Sequence, residues 1–335
     1  MKRGTVAIPY EKAQQIYEDG FDGCYPDPDA AARLWQTVRD MGGDPFDAVR
    51  RYGLSGSGAG KLSLPFLAQL RLYPDSLPGV AQQRGDCVSF STRTAAVGSY
   101  CASLLYGSNE HGYVAPMVSP VARQNGVAST EALYWYRGYD GDGWSCAAAA
   151  DIAISKSGIV LRQNYPELGL DLTTYSPNMA GKWGRLSPPE KVQAMTNDNL
   201  CRNATNCKTY EEVRDMLANG YCLSTCGSEA FTDKRNAYGI CDRTNKTWHH
   251  AIAACAVDDR PETVQREGCG LILMVNSWGD YVGGARAIWN TDKQIPVGSF
   301  WARWRDIEDR YFIALGPSVG WPANKLPNWG LENIV

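Results

Sequence analysis

The chain changes character along its length, and that change constrains the fold more than any other feature. Its first long ordered stretches have helical character. Ser89 to Leu105 (SFSTRTAAVGSYCASLL) is small and apolar enough for a buried helix, and Ser145 to Lys156 (SCAAAADIAISK) is a second helical run ending before Gly158. A third, Tyr210 to Ala218 (YEEVRDMLA), is amphipathic and stops at Asn219-Gly220. Strand-like runs then dominate: Tyr221 to Thr225, His250 to Val257, Leu271 to Val275, Ala285 to Trp289 and Ser299 to Trp304. Helices followed by strands point to an α+β arrangement rather than to alternating βαβ units.

The first 78 residues read as an extension with short helices. Asp27-Pro28-Asp29 supplies a cap and an early proline for AAARLWQTVRDMGG, whose apolar face runs through Ala32, Leu34, Trp35 and Val38. DPFDAVRRYG repeats the pattern on a shorter scale. SGSGAGKLSLP breaks it and reads as a loop or hinge. That stretch is not a phosphate loop, because Ser55 stands at the first glycine position and Leu62 follows the lysine. The expected organisation is an extension over 1–78, a main domain over 79–317 and a Pro- and Asn-rich tail over 318–335. The extension is expected either to regulate by blocking the cleft or to dock on a protein partner, and the tail is a second candidate for docking.

Composition narrows the function classes. A formal net charge of −3 gives no electrostatic reason to expect nucleic acid or an anionic membrane surface. No apolar run is long enough to span a bilayer. The first residues, MKRGTVAIPYEKAQQ, lack the apolar core of a secretory signal, so a cytoplasmic location, or carriage within a larger assembly, is expected. Eleven cysteines allow at most five internal disulfides, and six of them fall between 201 and 255, which would suit a locally stapled subregion. Buried free thiols are the competing expectation. With no C-x-x-C pair and three histidines, neither a metal site nor a cofactor is expected.

Chemistry concentrates at three places. Cys87, in QQRGDCVSF, lies at the expected start of a helix, where unpaired backbone N–H groups favour a thiolate. Histidine is the usual base for such a nucleophile, and the candidates are His111, His249 and His250. His111 sits in a loop composition. His249 and His250 pass directly into an apolar strand, where neighbouring side chains face opposite ways and one of them can face Cys87. Asn276 ends the apolar run LILMV and can accept the histidine N–H, with Trp278 placed to shield that bond.

The order and wording of these segments resemble the papain family of cysteine peptidases. GDCVSF is similar to the family's G-x-C-W-x-F segment, HAIAACAV to its histidine strand, and LILMVNSWGDYVGG to its strand and N-S-W-G turn. GDGWSCAAAADIAISKSGIVLRQNYP and TYEEVRDMLANGYCLSTC resemble the intervening segments. The resemblance spans about 79 to 305. It implies a two-lobed fold, a helical lobe followed by an antiparallel β-barrel-like lobe, with the cleft between them. It implies Cys87 as nucleophile, His250 as base and Asn276 as orienting residue, acting on a peptide or protein substrate through a thioester. The oxyanion-hole glutamine falls on Gln82 or Gln83, and Gly143 is the candidate for backbone contact with an extended substrate, its alternative being a tight turn. Val88 stands where the family usually has tryptophan, and Asp86 places a carboxylate beside the thiol. Those departures, with an extension unlike the family's propeptides, give a second expectation: a structural or docking protein of this fold with little turnover, part of a larger assembly such as a virus particle. A transglutaminase-like use of another acyl acceptor is a third reading, against which Asn276 speaks.

Overall fold

The computed structural model describes residues 23–106, 115–155, 159–186 and 200–317. The tail over 318–335, the first 22 residues and His111 lie outside the described residues.

The helices begin where the sequence supplies caps. Helix α1 (Pro28–Asp40) opens with the Asp27 side chain accepting from the Ala30 N–H. Helix α2 (Cys87–Tyr106) starts at Cys87 itself. It is built from small residues because it is covered on every side: Val88, Ala95, Ala96, Val97, Cys101 and Ala102 are all buried. Gly98 lies on a close contact, where an added Cβ would come within 2.8 Å of the Cys222 sulfur. Helix α3 (Cys146–Ile154) is capped by Ser145. Helix α4 (Tyr210–Ala218) has a capping box between Thr209 and Glu212.

The strands of the main sheet are β1 (Leu62–Ser63), β2 (Asn203–Cys207), β3 (Leu223–Phe231), β4 (Arg243–Asp258), β5 (Leu271–Val275), β6 (Ser299–Arg303) and β7 (Tyr311–Gly316). They form one antiparallel sheet in the order β6-β5-β4-β3-β7-β2, with β1 paired to the end of β4. Two short two-stranded sheets pair Asn164–Tyr165 with Leu170–Asp171 and Lys234–Arg235 with Gly283–Gly284. The α+β class is as the sequence implies. The expected barrel-like lobe is instead an open main sheet, with β6 and β2 as the ends of its hydrogen-bonded path. Long, twisted β4 is its spine, and α2 packs across β4 and β3.

Two differences from the sequence reading have a common cause. Residues 285–289 form no named strand, and Ala287 makes an isolated bridge to Gln294. In contrast, polar Asn203–Cys207 forms a strand buried along its whole length. Helix α1 packs on β2, so burial comes from the extension and not from the strand's own composition. The apolar residues of 23–73 belong to the same core as α2 and the sheet. The Gly-rich loop before β1 is pinned rather than loose: the Gly56 and Gly58 N–H groups donate to the Asp215 carboxylate.

One disulfide, Cys146–Cys226, ties α3 to β3, and the other nine cysteines are free thiols, eight of them buried. The expected local stapling over 201–255 is therefore absent; these thiols serve as small apolar groups in a dry core.

Candidate active site

Cys87 occupies the first turn of α2, against β4, and its sulfur accepts hydrogen bonds from the backbone N–H groups of Ala251 and Val88. His250 sits on β4 in the residue just before Ala251. Its Nε2 donates to Asn276 Oδ1 at 2.7 Å, which leaves Nδ1 as the basic atom of the neutral ring. Asn276 follows β5 directly, and its Oδ1 also accepts from the Ser277 N–H. The indole of Trp278 stacks on His250 with ring centroids 4.3 Å apart, and Trp248 packs edge-on against Trp278. The bond between His250 and Asn276 is thus roofed by aromatic rings and kept from water.

The two glutamines differ in their surroundings. Gln82 is tied to the turn after Asn276: its N–H donates to the Ser277 carbonyl at 2.8 Å, and its Oε1 accepts from the Ser277 hydroxyl. Its Nε2 donates to the Arg84 carbonyl at 2.8 Å. Gln83 is exposed, and its backbone N–H meets the Tyr175 hydroxyl. Gly143 adopts φ +83°, and its own polar groups are used internally. Its N–H donates to Gly85, and its carbonyl accepts from Arg137 and Tyr139. The neighbouring Trp144 is the residue that offers its backbone to an extended segment.

That segment belongs to the chain itself. Gly23 accepts from the Trp144 N–H (3.1 Å), Tyr25 donates to the Trp144 carbonyl (3.2 Å), and Cys24 donates to the His249 carbonyl (2.8 Å). Residues 23–25 therefore bridge the helical side and the sheet side across Cys87 as a strap, parallel to Trp144. The Tyr25 hydroxyl bonds that of Tyr139, anchoring the strap at one end. Beneath it Cys87 is 0% exposed and His250 3%.

Burial sets the electrostatics. The Cys87 thiol is pushed well above its usual range by desolvation, with the Cys24 sulfur adding to the shift. His250 is lowered to about 3 by burial, against the opposing bond to Asn276. Burial under the strap thus disfavours the charged form of both groups. Asp86 does not point into solvent. It is fully buried, raised to about 7 by burial, and its Oδ2 accepts from the Tyr175 hydroxyl at 2.9 Å.

Sequence reasoning missed Trp144 by one position, and missed Gly23 and Cys24 altogether. FDGCYPDPD carries turn residues and no signal of what it would cover.

No family model and no curated protein matches the chain. Among solved structures it is similar to xylellain, a cysteine protease from Xylella fastidiosa, at 14% identity over 71% of this chain and 82% of that one, TM-score 0.44. It is similar to procathepsin B S9 from Trypanosoma congolense at 11% identity, covering 88% and 86% of the two chains, TM-score 0.49. It is also similar to digestive procathepsin L 3 from the larval midgut of Tenebrio molitor at 13% identity, covering 92% and 99%, TM-score 0.40. These neighbours are papain-like cysteine proteases. The likeness is distant, and the chemistry has to be read from the residues.

Proposed function

We propose that the protein is a papain-like cysteine peptidase held latent by residues 23–25. The observation that carries this reading is the 2.7 Å bond from His250 Nε2 to Asn276 Oδ1 under Trp278, with Cys87 at the start of α2 against the same strand. Displacing the strap readmits water and lets both groups ionise. His250 Nδ1 then takes the Cys87 proton, while Nε2–H stays anchored on Asn276. The thiolate attacks a peptide carbonyl, and the oxyanion is held by the Cys87 N–H and the Gln82 amide once that amide turns from Arg84. Protonated His250 releases the amine, and water hydrolyses the thioester. The strap itself resists this attack, since the Gly23 carbonyl is committed to Trp144.

A second reading, a docking protein of this fold with little turnover, is favoured by the complete burial of Cys87 and by the carboxylate of Asp86 beside it. An electrophilic peptide probe separates the two. A latent peptidase labels at Cys87 in preference to the other free cysteines once the strap is loosened, and Cys87→Ala abolishes both labelling and peptide hydrolysis. Indiscriminate labelling, or full hydrolysis by Cys87→Ala, sinks the peptidase.

A further inference from the structure

Arg310, just before β7, has a side chain with no solvent exposure, and each of its three side-chain nitrogens donates a hydrogen bond. Nη1 meets Glu229 Oε2 at 2.9 Å, Nε donates to Thr225 Oγ1 at 3.0 Å, and Nη2 donates to the His250 carbonyl at 2.5 Å. A place is cut for this guanidinium in the sheet. Gly227 lies opposite His250 in the β3–β4 pairing, and a Cβ there would come within 2.6 Å of Arg310 Cγ and 2.3 Å of Glu229 Oε2.

The site of contact is also where the ladder is irregular. The β3–β4 register shifts between Gly227 and Glu229, and His249 takes φ +46°, a left-handed conformation unusual for a residue with a side chain. His250 thus follows a break in the strand, and Arg310 supplies a fixed donor to its carbonyl there. The same cation interacts electrostatically with the sulfurs of Cys24 and Cys87. For Cys24 its effect outweighs the opposing one of Glu229.

We infer that Arg310 is a positioning residue for the proposed Cys87–His250 pair: its guanidinium fixes the His250 backbone and sets a buried positive charge beneath the site. This rests on the peptidase reading for its purpose. The charge favours the Cys87 thiolate and disfavours imidazolium, so it draws both limbs of a pH–rate profile towards acid. The other ionisable groups acting on the thiol are Cys24 on the strap and Asp86 on the preceding residue, and His250 lies on β4 next to Ala251. Asp86 opposes the thiolate whenever it is ionised, which leaves Arg310 as the cation acting in its favour among the described residues.

The test is the pH dependence of Cys87 alkylation in the full chain, read by peptide mass mapping, with near-UV circular dichroism as the check on folding. Replacing the pair together, Arg310→Met with Glu229→Gln, leaves no lone buried charge and is expected to raise the midpoint of labelling by about half a pH unit or more. Arg310→Lys keeps the charge without the three-way hydrogen bonding. It is expected to hold the midpoint and to lower kcat. Glu229→Gln alone leaves the cation unopposed and is expected to lower the midpoint. A natively folded double variant with an unmoved midpoint overturns the inference. If the double variant does not fold, an unmoved midpoint in Glu229→Gln overturns it equally. Because alkylation needs no turnover, a shifted midpoint without peptide hydrolysis by the strap-loosened protein would leave Arg310's role intact while removing the peptidase reading.

Discussion

Replacing Gly23 by alanine should uncover Cys87. A Cβ built on Gly23 lies 2.3 Å from the His249 carbonyl oxygen and 3.4 Å from the Cys87 sulfur. The first contact is with backbone, at a residue already in a left-handed conformation, so it cannot be relieved by turning a side chain. The strap has to lift, which breaks its three backbone hydrogen bonds to Trp144 and His249. At roughly 1 kcal/mol net for each bond, the covered form loses about 3 kcal/mol relative to the open one. Since about 1.4 kcal/mol corresponds to a tenfold change in population, the open fraction should rise by about 10²-fold. Alkylation of Cys87, followed by peptide mass mapping at fixed pH, measures that fraction directly when opening is rapid. The buried Cys101 and Cys255, far from the strap in sequence, serve as internal controls and should not accelerate. A natively folded Gly23→Ala protein whose Cys87 labels no faster than the parent's would refute the idea that residues 23–25 govern access.

Further outcomes follow from the same geometry. Asn276→Ala removes the acceptor of His250 Nε2–H, and peptide hydrolysis should fall by about 10²-fold in kcat with little change in KM. Asp86 has a folded value of about 7 against an ordinary 3.8. The native state therefore binds the extra proton, and stability falls as pH rises from about 4 to 7, by up to about 4 kcal/mol. Asp86→Asn should flatten that limb in urea titrations and speed Cys87 labelling at pH 8. His250 works in the other direction, because a folded value near 3 against 6.5 means stability is lost as pH falls below about 6.5, as the unfolded chain takes the proton. The disulfide Cys146–Cys226 closes a separation of 80 residues, so Cys146→Ala with Cys226→Ala should cost about 4 kcal/mol in a denaturant titration.

Local chemistry made some of the fold legible and left the rest to tertiary context. The starts of α1 and α4 could be read because Asp27, Pro28, Thr209 and Glu212 satisfy orphan N–H groups within one turn, and such signals need no knowledge of the remaining chain. Strand β2 could not be read. NATNC has no alternation to reveal a buried face, and it is buried because α1, more than 160 residues earlier, lies on it. The run over 285–289 shows the converse, with strand-like composition but no partner beyond the single bridge at Ala287.

The candidate site divides along the same line. Cys87, His250 and Asn276 were legible because each is fixed by its own element: a helix start, a strand, and a strand end. What controls them was not, because it arrives from elsewhere in the chain. Gly23 matters through the carbonyl of His249, Arg310 through that of His250, and Trp144 through its bonds to Gly23 and Tyr25. Gly23 and Trp144 meet the site through their own backbone atoms, so residue identity says little about their role, and Arg310 reaches it with a side chain from a distant part of the sequence. Gly23 is an exception after the fact, since a side chain there would strike His249. On the proposed reading the strap couples latency to ionisation. One short segment covers Cys87, disfavours the charged forms of Cys87 and His250, and occupies the Trp144 edge proposed for an extended peptide. Agents that remove it should raise access and thiolate content together, and a variant that opened the cleft without lowering the pH midpoint of Cys87 labelling would separate the two.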